Sequence, residues 1–231
     1  GLTEGYADGQ PDRILLTFHP PGGTFRPPAT SSGEFYHLEP WLDFNLIQSG
    51  HALGNASYER ISQDYARQPT KPTLDAEPCY EGHPVKHDFK NGFFGAWDVR
   101  RRGYWSLLAG ACGFTYGGNG IWQMDKPGNV KSEKHFKDFW YDAIDYEGSR
   151  QMQHLRWLAE TYRWPTWVPD STLLAGSPGQ VDDRIQSVRT EDGRFQLHYS
   201  TNGRTILLAP LPKGAWSYQW FDPRTGALSP K

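Results

Sequence analysis

Two cysteines, Cys79 and Cys112, and two methionines are all the sulfur that 231 residues carry. Two thiols leave the redox compartment open. No apolar stretch approaches the roughly 20 residues that a membrane-spanning helix needs. No secretory leader is visible, and the chain begins at Gly1 without Met, which leaves room for a leader removed or lying upstream. There is no long run of charge of one sign, and the net charge is −2. Phosphate backbones bind to basic faces, so nucleic acid is not expected as a partner. The densest basic stretch, Arg100-Arg101-Arg102, is short and falls in a helical pattern. It reads as a solvated or ion-paired face rather than a phosphate site. Internal repeats and low-complexity segments are absent.

What the chain does have is aromatic residues, 15% of the total, with ten Trp and twelve Tyr, on a hydrophobic content of 37%. Flat rings at that density suit the apolar faces of sugars, or an aromatic-rich core. The apolar patterning alternates between strand-length and helix-length segments. Continuous runs at 13–19, 41–49, 72–77 and 113–117 read as strands buried on both faces. Helical patterns cover 58–68, 95–109 and 149–161. Repeated βα units imply a parallel sheet with helices outside it. Four such units fit half of a (β/α)₈ barrel or a small doubly wound sheet. Polar residues favour the barrel, because they gather where the runs end: His19, then Gln48, Ser49 and His51, then Glu77, then Tyr116 and Asn119. That is the face on which barrel enzymes build their sites. In this layout Cys79 and Cys112 sit at opposite ends of neighbouring strands, too far apart for a disulfide.

The pattern changes after Trp164-Pro165-Thr166-Trp167. Short strands are expected at 195–200, 205–209 and 215–221, with Asn202-Gly203 as a two-residue hairpin turn. The expected division is therefore a barrel portion over 1–168 and an incomplete antiparallel β-sandwich over 169–231.

Glu77 is the foremost candidate for chemistry. It ends a buried strand, and Pro78 constrains the chain's exit. Glycosidases place two carboxyl groups across the scissile bond, one to protonate the leaving oxygen and one to attack or to activate water. A rim ion pair with an arginine is the bland alternative. Asp75, two residues earlier, shares its face one layer deeper and reads as hydrogen-bonding support near the substrate. Glu81 reads as solvent-facing or supporting. His19 and His51 end adjacent strands and suit sugar hydroxyls. Cys79, Glu81, His83 and His87 match no zinc spacing, so no metal is expected. Gly117-Gly118-Asn119-Gly120 lacks the Lys-Ser/Thr of a phosphate loop. It reads instead as a tight turn that lets Tyr116, Asn119 and Trp122 line a pocket.

These stretches carry a family resemblance. Thr17-Phe18-His19-Pro20, Trp41-Leu42-Asp43-Phe44-Asn45 with Gln48-Ser49-Gly50-His51, Glu77-Pro78 with Tyr80-Glu81, and Tyr104-Trp105 through Gly113 to Tyr116-Gly117 resemble the apiosidase-like glycoside hydrolases, glycoside hydrolase family 140 and its relatives. Trp220-Phe221-Asp222-Pro223-Arg224-Thr225-Gly226 is similar to the collagen-binding-type domain that follows the barrel in that family. The resemblance implies a bacterial, exported or periplasmic enzyme that hydrolyses an apiosyl linkage in plant cell-wall pectin, such as rhamnogalacturonan, with retention of configuration. It implies no cofactor. It assigns Glu77 to the nucleophile at the end of strand seven, which makes the four runs strands five to eight. Substrate hydroxyls would then meet His19, Gln48, Ser49, His51, Asp75, Tyr116 and Asn119, with Trp122 stacking. The acid/base, an Asp, and strands one to four are expected before Gly1, supplied by a partner chain or by further sequence, and the β-domain is expected to end beyond Lys231. Two rivals stay open: a carbohydrate-binding barrel without catalysis, and a same-fold glycosidase for another sugar, such as an arabinofuranosyl or galactosyl unit.

Overall fold

A computed structural model of the protein describes residues 14–22, 30–128 and 137–230. It is a mixed α/β chain with one parallel and one antiparallel sheet, each of three strands among the described residues. A short helix α1 (Gly33–Tyr36) precedes β1 (Asn45–Ile47), α2 (Ser57–Tyr65), β2 (Thr73–Asp75), α3 (Ala96–Leu108) and β3 (Gly113–Phe114). The strands run parallel in the order β1-β2-β3, with Leu46 beside Leu74 and Asp75 beside Phe114. Then come α4 (Trp140–Ala143), α5 (Glu147–Thr161), β4 (Trp167–Pro169), β5 (Ile185–Thr190) and β6 (Gln196–Ser200), the last three forming the antiparallel sheet.

Helix α3 lies between the two sheets. Its first turn is closed by the Asp98 carboxylate, which accepts the Gly95 N–H at 3.0 Å. Every residue from Val99 to Leu108 is buried, so only the first turn of the helix, with Trp97 38% exposed, meets solvent. Trp105 is completely enclosed and donates its indole N–H to Thr201 Oγ1 at 2.8 Å. Tyr104 stacks on Tyr199 of β6 at 4.5 Å. One apolar core therefore runs from Ile47 through α2, α3 and α5 to Trp167, Val188 and Tyr199.

Several expectations are corrected here. The first apolar run forms no strand over 14–19; it lies beside the approach to β1, with Asp43 N–H donating to Leu16 O at 2.9 Å and Thr17 Oγ1 to Phe44 O at 2.6 Å. It is not enclosed on both faces either, since Leu15 is 74% exposed. Arg13, expected at its start, lies outside the described residues. The arginine run is not a solvated face: Arg100, Arg101 and Arg102 are 8%, 1% and 0% exposed, enclosed on different sides by Gln151 of α5, by an ion pair with Asp182 and Asp98, and by the carbonyls of Ala52 and Asn55. The hairpin is β5–β6, joined around Asp192-Gly193, rather than the one expected at Asn202-Gly203. Residues 205–209 and 215–221 contribute only isolated bridges, Leu174 with Leu208 and Phe221 with Leu228. No helix among the described residues is long and apolar enough to cross a membrane.

Candidate active site

The β1–β2 ladder continues past the ends of both strands. Ala76 N–H donates to Ile47 O, and Gly50 N–H donates to Glu77 O, each at 3.0 Å. Gly50 makes this close approach at φ +77°, a conformation that a side chain would strain. Glu77 is thereby fixed at the rim of the parallel sheet, with about a quarter (24%) of its side chain open to solvent.

Two imidazoles and a phenol converge on that carboxylate. His19 Nε2 lies 3.1 Å from Oε2, and His51 Nε2 lies 3.4 Å from Oε1. The Tyr80 hydroxyl hydrogen-bonds to the same group. Burial pushes the Glu77 carboxyl up, but His51, His19 and Tyr80 together outweigh it and hold the group below its ordinary value. It is ionised at neutral pH. Tyr80 is pushed up to about 12 by burial and by the Glu77 charge, so it stays a donor. Its ring fits because Gly117 opposite has no side chain; a Cβ there would collide with Tyr80 Cδ1. His51 is itself enclosed by rings, stacked on His83 at 4.1 Å and meeting Tyr80 and His87 edge-on at 4.8 and 5.2 Å.

Asp75 has the opposite environment. It is 0% exposed, and its Oδ2 accepts from Ser106 Oγ at 2.8 Å and Ser49 Oγ at 3.0 Å. Burial drives its carboxyl up to about 6, with Ser106, Arg102 and Ser49 restraining the rise. A group of that value would suit a general acid, but this one faces α3 and is closed to solvent.

Of the residues expected to meet substrate, the structure thus brings His19 and His51 to Glu77. Gln48 is half-buried, its amide pressed against Gly22, where a Cβ would come within 2.6 Å. Asp75 and Ser49 are corrected from sugar contacts to the sealed floor of the sheet. Tyr116 donates its hydroxyl to Glu81 Oε2 at 2.8 Å, and Asn119, 2% exposed, donates its backbone N–H to Glu81 O at 2.8 Å. Glu81 faces neither ligand nor solvent; its Oε1 accepts the Gly148 N–H at 3.0 Å and so caps the start of α5. Trp122 is 72% exposed. Among the described residues no group of three or more His, Cys, Asp or Glu could hold a metal ion. Cys79 is a buried free thiol packed with Val85, Phe94 and Val99; Cys112 is free and exposed. The sequence pattern gave Tyr80 no role and offered for His83 and His87 only a metal reading, rejected on their spacing, rather than the wall around His51. No strand or helix period marks them, since they lie in the loop after β2.

A partly open carboxylate at the end of a parallel strand, met by two imidazoles and a phenol, is an arrangement of the kind that glycoside hydrolases use. Solved structures agree. One described as a glycoside hydrolase superposes with a TM-score of 0.80 at 32% identity, covering 94% of this chain and 51% of its own. A glycoside hydrolase family 5 protein from Bacteroides vulgatus ATCC 8482 gives 0.79 at 32% identity, covering 93% and 48%. The chain spans about half the length of these structures. No curated protein matches it. Residues 2–166 match the family model "Apiosidase-like, catalytic domain", and the chain belongs to that family. Residues 168–230 match the model "Putative collagen-binding domain of a collagenase".

Proposed function

We propose that this chain carries the nucleophile side of a retaining glycosidase site of the glycoside hydrolase family 140 type, acting on an apiosyl linkage in plant cell-wall pectin. The observation that carries the reading is Glu77: a rim carboxylate, partly open, held ionised by His19, His51 and Tyr80. An ionised carboxylate suits attack on an anomeric carbon, whereas the acid partner needs a raised value. Asp75 has the raised value but no access to substrate. In this reading the acid/base is an Asp on barrel strands one to four, outside this chain, placed about 5–5.5 Å from Glu77 as retention requires. The segment 14–19 and the three parallel strands then stand for strands five to eight of the (β/α)₈ barrel. The antiparallel unit over 169–231 is its appended β-sandwich, and the whole is exported from a bacterium.

Glu77 Oε would attack the anomeric carbon as the acid protonates the departing oxygen, and water would then release the sugar from the glycosyl-enzyme ester. Trp122 offers an open ring for stacking, and His19 an accessible imidazole for a hydroxyl. The test is Glu77→Ala in the complete polypeptide with azide added. Loss of hydrolysis with formation of a glycosyl azide supports the nucleophile. Turnover near that of the parent would overturn it, and tight glycan binding by the parent with no turnover at all would favour a binding barrel.

A further inference from the structure

We propose that Arg101 and Arg102 are positioning residues for Glu77, holding the loop 52–55 and through it the His51 imidazole against the carboxylate. This rests on the reading of Glu77 given above. Arg102 donates through Nη2 to Ala52 O at 2.5 Å and through Nη1 to Asn55 O at 3.1 Å. Arg101 Nη2 donates to Leu53 O at 3.1 Å. Three carbonyls within the four residues after His51 are thus gripped by two neighbouring guanidinium groups. The loop's other anchors are Asn55 Nδ2, which donates to Ser49 O at 2.5 Å, and His51 O, which accepts the Lys86 N–H at 2.8 Å.

The energetics argue that the arrangement is more than packing. A buried charge costs several kcal/mol unless it is well paired. Arg102 is 0% exposed, and among the described residues it forms no ion pair; its guanidinium meets peptide carbonyls, and its charge also acts on Asp75. An apolar side chain would fill the same space more cheaply but would leave the loop carbonyls unheld. Arg101 extends the clamp to the antiparallel unit. It pairs with Asp182, which precedes β5, and with Asp98 at 3.2 Å, and its guanidinium lies 4.0 Å from the Trp97 ring centroid. Docking of that unit on α3 therefore reaches Glu77 by a short chain of contacts: Asp182 to Arg101, Arg101 to Leu53 O, along the backbone to His51, and His51 to Glu77. Among the described residues, the groups facing Glu77 include His19 from the 14–22 segment, His51 from the loop after β1 and Tyr80 from the loop after β2, and those facing the clamp include Asp75, Asp98, Asp182 and Cys79.

The experiment measures kcat, KM and the pH profile of kcat/KM for Arg102→Lys, Arg101→Lys and Asp182→Ala in the complete polypeptide, with melting temperatures alongside. Lysine keeps the charge but cannot fork between two carbonyls. The expected result is a loss in kcat of roughly ten- to a hundredfold for Arg102→Lys, with little change in KM. The acid limb of kcat/KM moves to higher pH, because Glu77 loses the His51 contact that helps keep it ionised. Asp182→Ala shows the same shift, smaller, and Asp182→Glu restores it. A folded Arg102→Lys with lower melting temperature but unmoved kcat and acid limb would overturn the proposal. Should the arginine variants not fold, Asp182→Ala decides, since that side chain is 65% exposed; an unmoved limb there overturns it equally. Nitrogen NMR titration of His51 reads the clamp without using activity. It separates failure of the clamp from failure of Glu77 as nucleophile, which would show as retained turnover in Glu77→Gln.

Discussion

The rim and the floor of the parallel sheet treat the same chemical group in opposite ways. Glu77 at the rim is a quarter open, meets two imidazoles and a phenol, and is held ionised. Asp75, two residues back, is sealed under α3 by two serine hydroxyls and pushed up to about 6. Sequence spacing put both on one face. Their partners differ: the floor residue meets Ser49 and Ser106, and the rim residue meets His19, His51 and Tyr80. A carboxylate near a candidate site is therefore not a candidate by proximity. What distinguishes the two is access and the identity of the partners: two imidazoles and a phenol at a partly open rim, serine hydroxyls in a dry floor.

The sharpest way to break this contrast is to amidate each carboxyl in turn. Glu77→Gln should lower turnover on the order of a thousandfold or more, whereas Asp75→Asn should leave turnover within about tenfold; steady-state kinetics on the complete polypeptide decide. Next is the floor's own signature, which is thermodynamic. The folded chain holds a proton on Asp75 between its ordinary 3.8 and about 6. Its stabilising contribution is thus present below 3.8 and lost as pH rises through 6, amounting to about 3 kcal/mol. Denaturant titrations from pH 4 to 7 should show that fall in the parent and a flatter profile in Asp75→Asn.

Back at the rim, Tyr80→Phe removes one donor that lowers Glu77, so the acid limb of kcat/KM should move to higher pH, with a loss of about 1–2 kcal/mol in transition-state stabilisation. The smallest effect is expected at Tyr116→Phe. Glu81 loses one hydroxyl but keeps the Gly148 N–H, and stability should fall by about 1 kcal/mol without a change in pH profile. A shifted profile there would mean that Glu81 communicates with the rim after all.

Legibility followed periodicity. α3 and α5 fell within two residues of the expected spans, because a long helix leaves a 3.6-residue imprint. β2 and the placement of Glu77 at its end were readable from a short apolar run stopped by Pro78. β5 was not anticipated. Its sequence, Ile185-Gln186-Ser187-Val188-Arg189-Thr190, lacks an apolar run, yet its first four residues are buried because Gln186 donates to Leu108 O and Ser187 meets His198. The arginines of α3 misled for the same reason: a charge reads as solvent-facing until a second layer supplies its partners. The first apolar run misled in reverse. Its composition fits a strand with neighbours on both sides, whereas its contacts run to the approach to β1 and Leu15 stays open.

The sequence by itself determined the βα order, the change to an antiparallel unit near Trp167, the membership in the apiosidase-like family and Glu77 as a strand-end carboxylate. These rest on local period and on motif, which short stretches of chain encode. Only the tertiary structure decided that Asp75 and Ser49 belong to the floor, that Tyr80 joins His19 and His51 at Glu77, and that Arg101 and Arg102 grip the loop carrying His51. Burial and hydrogen-bond partnership depend on segments that are dozens of residues apart, and no local pattern records which of them will meet.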